Sequence, residues 1–223
     1  MKRKPQNSRN IANAVRIDPL APETGEIRKA AGLLKKKGIL VFPTSGLYGL
    51  AADAFSVEAV GRVFDIKRRP ADMPLLVMLS GGHDIQQVVR SVPDFAEPLL
   101  GLWPGGITLI FEAGDRVPDI LTGGTGKIGV RMPAHPAARA LVRQFGGPIT
   151  ATSANRSGCP AVSKVADLDP RIIAGVDLVL DGGTLAGGSG STVLDASRWP
   201  VRIIREGAVA RQLIDEALAR RTT

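Results

Sequence analysis

The residues best suited to chemistry lie in two stretches close in sequence. Residues 129–136 read Gly-Val-Arg-Met-Pro-Ala-His-Pro, and residues 148–158 read Pro-Ile-Thr-Ala-Thr-Ser-Ala-Asn-Arg-Ser-Gly. The first is an apolar run that ends in Arg131; the second ends in a hydroxyl-amide-glycine loop carrying Ser153, Asn155, Ser157 and Gly158. Two such strand ends can converge on one anion, the guanidinium through its planar fork and the neutral groups as hydrogen-bond donors. A third group, Lys67-Arg68-Arg69, falls between an apolar helical pattern and the buried run of residues 75–79, with Pro70 and Pro74 stiffening the link. Held cations of both types suit a polyphosphate. Each group also has a plainer reading: Arg131 as a side chain covering a sheet edge, the Ser-Asn loop as a self-bonded turn, the basic triplet as a solvated charge run.

Other constellations fail on spacing. Gly123-Gly124-Thr125-Gly126-Lys127 invites a phosphate-loop reading, but that motif needs glycine where Leu121 stands and a hydroxyl where Ile128 stands. It reads instead as a turn leading into a strand. His83 and His135 have no nucleophile partner and no Gly-x-Ser-x-Gly elbow occurs, so covalent catalysis is not expected; His135 reads as a residue at a helix start. Cys159 is the single cysteine and has no companions for a disulfide or zinc site, which points to a reducing compartment. Trp103-Pro104-Gly105-Gly106 reads as a rigid turn with its tryptophan on the core.

The elements that must position these groups follow from periodicity. Ile27, Ala30, Ala31 and Leu34 keep helical spacing over residues 26–37, stopped by Gly38, and residues 39–42 form an apolar strand broken by Pro43. Residues 44–54 read as a loop of small residues, and Val60, Val63 and Phe64 mark a second helix that exits into the basic triplet. Short strands are expected at 75–79, 107–111, 128–131, 149–152, 178–180, 192–194 and 201–204, with helices at 136–145 and 211–221. Strands interleaved with helices imply a layered α/β domain. Some connections are too short for a crossover helix, so the sheet should be mixed.

At 223 residues, 44% of them apolar and 22% charged, one domain with a substantial core is expected. Lys2, Arg3, Lys4, Arg9 and Arg16 precede the first acid, Asp18, and supply most of the net charge of +8. Residues 1–18 therefore read as a basic, flexible tail before a single domain at 19–223, either a solvated leader or a nucleic-acid tether. No apolar run is long enough to span a bilayer and no secretory h-region opens the chain, so the cytoplasm is the expected place.

Taken in order, Phe42 through Leu50, Lys67-Arg68-Arg69-Pro70, Met73-Pro74-Leu75, Trp103 through Leu109, Gly129 through Pro133, Thr152 through Gly158, Ser191-Thr192-Val193-Leu194-Asp195 and Ile204-Arg205-Glu206-Gly207 resemble the YrdC/YciO-like family over roughly residues 25 to 210. The resemblance implies a three-layer domain, a twisted mixed sheet flanked by helices, with a concave basic face. Its best-known members are threonylcarbamoyl-AMP synthases, nucleotidyltransferases that join L-threonine, bicarbonate and ATP, release pyrophosphate, and feed a downstream transferase that modifies tRNA. This chain looks like the short form.

The resemblance also assigns residues. Lys67 and Arg69 are expected to hold the phosphates and act in catalysis; Ser153, Asn155, Ser191 and Arg205 should line the nucleotide site; Thr44 and Arg131 should hold threonine. Magnesium is expected with the nucleotide, with no residue assigned to it. Gly46 and Met78 depart from the fuller family pattern, where threonine and histidine are common. They leave open a YciO-like paralogue that binds double-stranded RNA or tRNA. Carbamoyl chemistry in hydrogenase maturation fits less well, since the zinc-type cysteine pairs are missing.

Overall fold

The computed structural model describes residues 13–220. In chain order the elements are β1 (Ala14–Arg16), α1 (Thr24–Lys35), β2 (Leu40–Pro43), β3 (Tyr48–Ala51), α2 (Val57–Lys67), β4 (Val77–Met78), α3 (Glu97–Leu100), β5 (Ile107–Glu112), α4 (Asp119–Thr122) and β6 (Lys127–Arg131). They continue with α5 (Pro136–Phe145), β7 (Ile149–Thr150), β8 (Thr152–Ser153), α6 (Pro170–Gly175), β9 (Leu178–Asp181), β10 (Thr192–Asp195), β11 (Arg202–Arg205) and α7 (Arg211–Ala219).

The strands form two mixed sheets, of order β1-β9-β2-β3-β8 and β11-β10-β5-β6-β4-β7. Mixed pairing was expected from the short connections. Its division into two sheets was not, because the apolar segment 149–152 reads as one strand. In the structure Ala151 separates β7, which pairs β4, from β8, which pairs β3, so this segment passes from one sheet to the other.

Alternation along β2 explains the layering. Ile39 and Val41 join one apolar core and Leu40 and Phe42 join a second on the opposite face. The second core is closed by α1 and α5, which pack through Ala30, Ala31, Leu34, Ala138 and Leu141. The first core takes one face of the six-stranded sheet, through Leu109, Phe111, Val130 and Leu194, against α2 and α7. The other face of that sheet is left for a cavity.

Two sequence boundaries need correction. Residues 44–54 are not all loop: Tyr48–Ala51 is a strand antiparallel to β2. Its small residues disguise it, yet they serve the pairing, since a β-carbon at Gly49 would come 3.0 Å from the Phe42 ring. The domain also starts earlier than residue 19, because β1 pairs β9 in parallel and Arg16 bonds Asp181 at 3.1 Å. The rest of the expected tail, residues 1–12, lies outside the described residues.

Candidate functional site

The floor of the cavity is the free face of the six-stranded sheet. Because successive side chains alternate sides, Thr108 and Ile110 of β5, Gly129 and Arg131 of β6, and Val193 and Asp195 of β10 all point to it. The cavity encloses about 780 Å³, a volume suited to a nucleotide-sized ligand. Thr44, Arg69, Arg131, Ser153, Ser191 and Arg205, all singled out from the sequence, share its lining.

One end is cationic. Arg131 is steadied by its Nε, which donates to Gly105 O at 3.0 Å, leaving the outer guanidinium nitrogens for the cavity. The turn at residues 103–106 thus holds the arginine, and Trp103 packs on the core while its indole donates to Ile107 O at 3.2 Å. Arg205 donates to Ser191 O at 2.8 Å, and Ser191 Oγ meets Thr108 Oγ1 at 2.8 Å. Burial, and then the charge of Arg205, hold the Arg131 guanidinium below its usual pKa. Two like charges facing one cavity are a ready site for an anion, which would relieve both.

Lys67 and Arg69 take different places because Arg68, at the end of α2, adopts the left-handed conformation with φ 49°. That reversal sends Lys67 into the protein, leaves Arg68 exposed and brings Arg69 to the cavity. Lys67 is only 1% exposed and its Nζ donates to Ser153 O and Asn155 O, both at 2.5 Å. Burial, and then the neighbouring Arg69, pull its pKa down to about 8. Arg69 donates to Met73 O at 3.1 Å and Pro74 O at 2.6 Å, and burial lowers its pKa.

Lys67 and Asn155, expected from the sequence at the ligand, stand behind the residues that line the cavity. Asn155 donates through Nδ2 to Arg156 O at 2.9 Å and to Cys159 O, shaping the loop that Lys67 supports from within. A lysine after an apolar helix looks like a surface cation in sequence; only the left-handed turn reveals otherwise.

Lys127 and Asp195 were missed. They line the cavity and pair at 2.8 Å, at the strand ends away from Arg131 and Ser191. Lys127 and Arg131 are four residues apart on β6, about 13 Å along a strand. Burial opposes the Asp195 charge, but hydrogen bonds from Lys127 and Ser197 outweigh it and hold the carboxyl below its usual pKa. The available signal was alternation: Lys127 shares the parity of Arg131. The glycine-rich turn before it is not a phosphate loop, yet Thr125 and Lys127 at its end reach the cavity.

The donor set does not suit a protein-held magnesium ion. No cluster of three or more His, Cys, Asp or Glu side chains occurs among the described residues, and Asp195 is already engaged by Lys127 and Ser197. No helix among those residues is long and apolar enough to cross a membrane.

The Sua5/YciO/YrdC family model, described as Telomere recombination, matches residues 32–207. The chain is 35% identical over 197 residues to the threonylcarbamoyl-AMP synthase of Pyrococcus abyssi, covering 88% of this chain and 58% of that protein. It is 36% identical over 207 residues to the threonylcarbamoyl-AMP synthase of Bacillus subtilis, covering 90% and 59%. The crystal structure of P. abyssi Sua5 complexed with L-threonine superposes with a TM-score of 0.84 at 33% identity, covering 92% of this chain and 60% of that one. This chain thus spans less than two thirds of those synthases. With the match extending over most of its length and the same fold beneath it, the chain belongs to the Sua5/YciO/YrdC family.

Proposed function

We propose that the protein is a nucleotidyltransferase that makes threonylcarbamoyl-adenylate and pyrophosphate from L-threonine, bicarbonate and ATP, for use by a downstream tRNA-modifying transferase. The observation that carries this reading is the convergence of Arg131, Arg205, Arg69, Ser153 and Ser191 on one cavity of about 780 Å³. The similarity to named threonylcarbamoyl-AMP synthases supports it.

The threonine amine and bicarbonate give a carbamate with loss of water, and a carbamate oxygen attacks the α-phosphorus of ATP as the bond to pyrophosphate breaks. The carbamate is a weak, labile nucleophile, so the site gathers anions and keeps water out rather than supplying a base. Arg131 pairs with the threonine carboxylate, and Thr44, whose Oγ1 donates to Leu47 O at 2.6 Å, shapes the loop beside it. Ser153, Ser191 and Arg205 bind the nucleotide. Arg69 faces the phosphates and offsets charge on the departing pyrophosphate. Lys67 and Asn155 act through the 153–157 loop as positioning residues. Magnesium would travel with the triphosphate, which would supply its oxygen ligands.

We place the reaction in the cytoplasm, in keeping with the lone, exposed Cys159. A tRNA or double-stranded RNA would meet the basic N-terminal segment rather than this cavity, whose volume suits a nucleotide and an amino acid. Arg69→Ala and Arg205→Ala test the reading. Each should lower turnover of threonine, bicarbonate and ATP by about 2 to 4 kcal/mol of transition-state stabilisation with the fold intact. Normal rates in both variants would remove the proposed roles.

A further inference from the structure

Residues 182–191 form a strap from the end of β9, in one sheet, to the start of β10, in the other, and its last part, Ser189, Gly190 and Ser191, is a wall of the cavity. Gly183, Gly187, Gly188 and Gly190 carry φ values of 84°, 78°, 112° and 78°, a path that other residues follow only under strain. Near the root of the strap, the Tyr48 hydroxyl donates to Gly183 O at 2.8 Å and accepts from Gly182 N at 3.0 Å. Further on, Leu185 N donates to Ser163 O at 2.9 Å.

The middle of the strap meets the loop between β2 and β3, where Gly187 N donates to Gly46 O at 2.9 Å. A β-carbon on Gly46 would stand 1.9 Å from Gly187 O and 2.9 Å from its carbonyl carbon. Gly46 itself lies outside the left-handed region, so its backbone would accept any residue; space alone forbids one. The neighbours Thr44 and Leu47 line the cavity, so this contact joins two of its walls.

We propose that Gly46 is a positioning residue whose bare backbone latches the strap and so sets where Ser189, Gly190, Ser191 and the Arg205 guanidinium bonded to Ser191 stand for a nucleotide. The last clause rests on the reading of the cavity given above; the latch does not. Adding even a methyl group at Gly46 must push the strap away, break the bond to Gly187 and loosen the wall opposite the 44–47 loop.

The test compares the wild-type chain with Gly46→Ala by residue-resolved amide hydrogen exchange and by affinity for a non-hydrolysable ATP analogue. In the wild type the Gly187 amide should exchange at least about tenfold below its unprotected rate, which needs no variant to read. In Gly46→Ala, amides 183–190 should exchange at least about tenfold faster and the analogue should bind at least about fivefold more weakly, with α5 unchanged. An unprotected Gly187 amide in the wild type, or a variant with unaltered strap exchange, would overturn the latch. Faster exchange with unaltered affinity would overturn the positioning role. A wild-type chain that binds no analogue would overturn the nucleotide reading of the cavity, while the exchange data still decide the latch.

Discussion

At the scale of single residues, the two expected catalytic cations behave differently. Lys67 is spent on main-chain oxygens of the loop that presents Ser153, so its removal should act through that loop. Lys67→Met keeps the volume and strands two carbonyls, each costing about 1 to 3 kcal/mol, so the melting temperature should fall together with nucleotide affinity. The same residue gives a pH signature. The folded chain releases the Lys67 proton near pH 8, whereas an unfolded lysine keeps it to about 10.5. Between those values the unfolded state binds more protons, so this lysine makes stability rise with pH there, and its buried charge costs stability below pH 8. Denaturant titrations at several pH values should show that rise in the wild type and its loss in Lys67→Met. Among the described residues only the Nε of Arg131 is committed, so Arg131→Gln should leave folding near normal. It should lower kcat/KM for threonine by roughly thirty- to a thousand-fold, about 2 to 4 kcal/mol, read from initial rates.

At the scale of elements, the site depends on strand parity. On β6, Ile128 and Val130 are buried in the core while Lys127, Gly129 and Arg131 face the cavity, so one register sets both. Gly129 keeps the floor flat, since a β-carbon there would lie 3.2 Å from Leu76 and from Thr108. Gly129→Val should obstruct the cavity and weaken nucleotide binding by at least about tenfold. The fold should survive with a loss on the order of 1 to 3 kcal/mol, because valine suits a strand but overpacks this one. Calorimetric titration and thermal unfolding separate the two effects.

This parity was legible in the sequence for Arg131, whose strand was plain. For Lys127 it is masked, because the strand begins directly after a glycine-rich turn that carries no periodicity. The α5 helix reads clearly because Pro136 stands in its first turn and Gly146 closes it with φ 82°. The β3 strand was hidden because its small residues resemble a loop by composition, although they make room for Phe42. The burial of Lys67 was hidden for a different reason, since a left-handed arginine leaves no signature in a run of three cations.

At the scale of the whole molecule, the cavity lies where two sheets meet. The 149–153 segment and the 182–191 strap pass between the sheets, and both put residues on the cavity lining. No local pattern specifies that arrangement, because each crossing is a break in one strand or a glycine-rich stretch with no periodicity. The ordered family motifs implied a concave basic face but not its two sheets, and the structure supplies the reason they are spread along the chain: residues from 44 to 205 must reach one space. The most direct measurement incubates the purified chain with ATP, magnesium, bicarbonate and labelled L-threonine, with rapid separation of products. Formation of threonylcarbamoyl-adenylate with matching pyrophosphate, dependent on both threonine and bicarbonate, is the predicted result. A folded chain that binds ATP but releases no pyrophosphate in response to threonine and bicarbonate would contradict it.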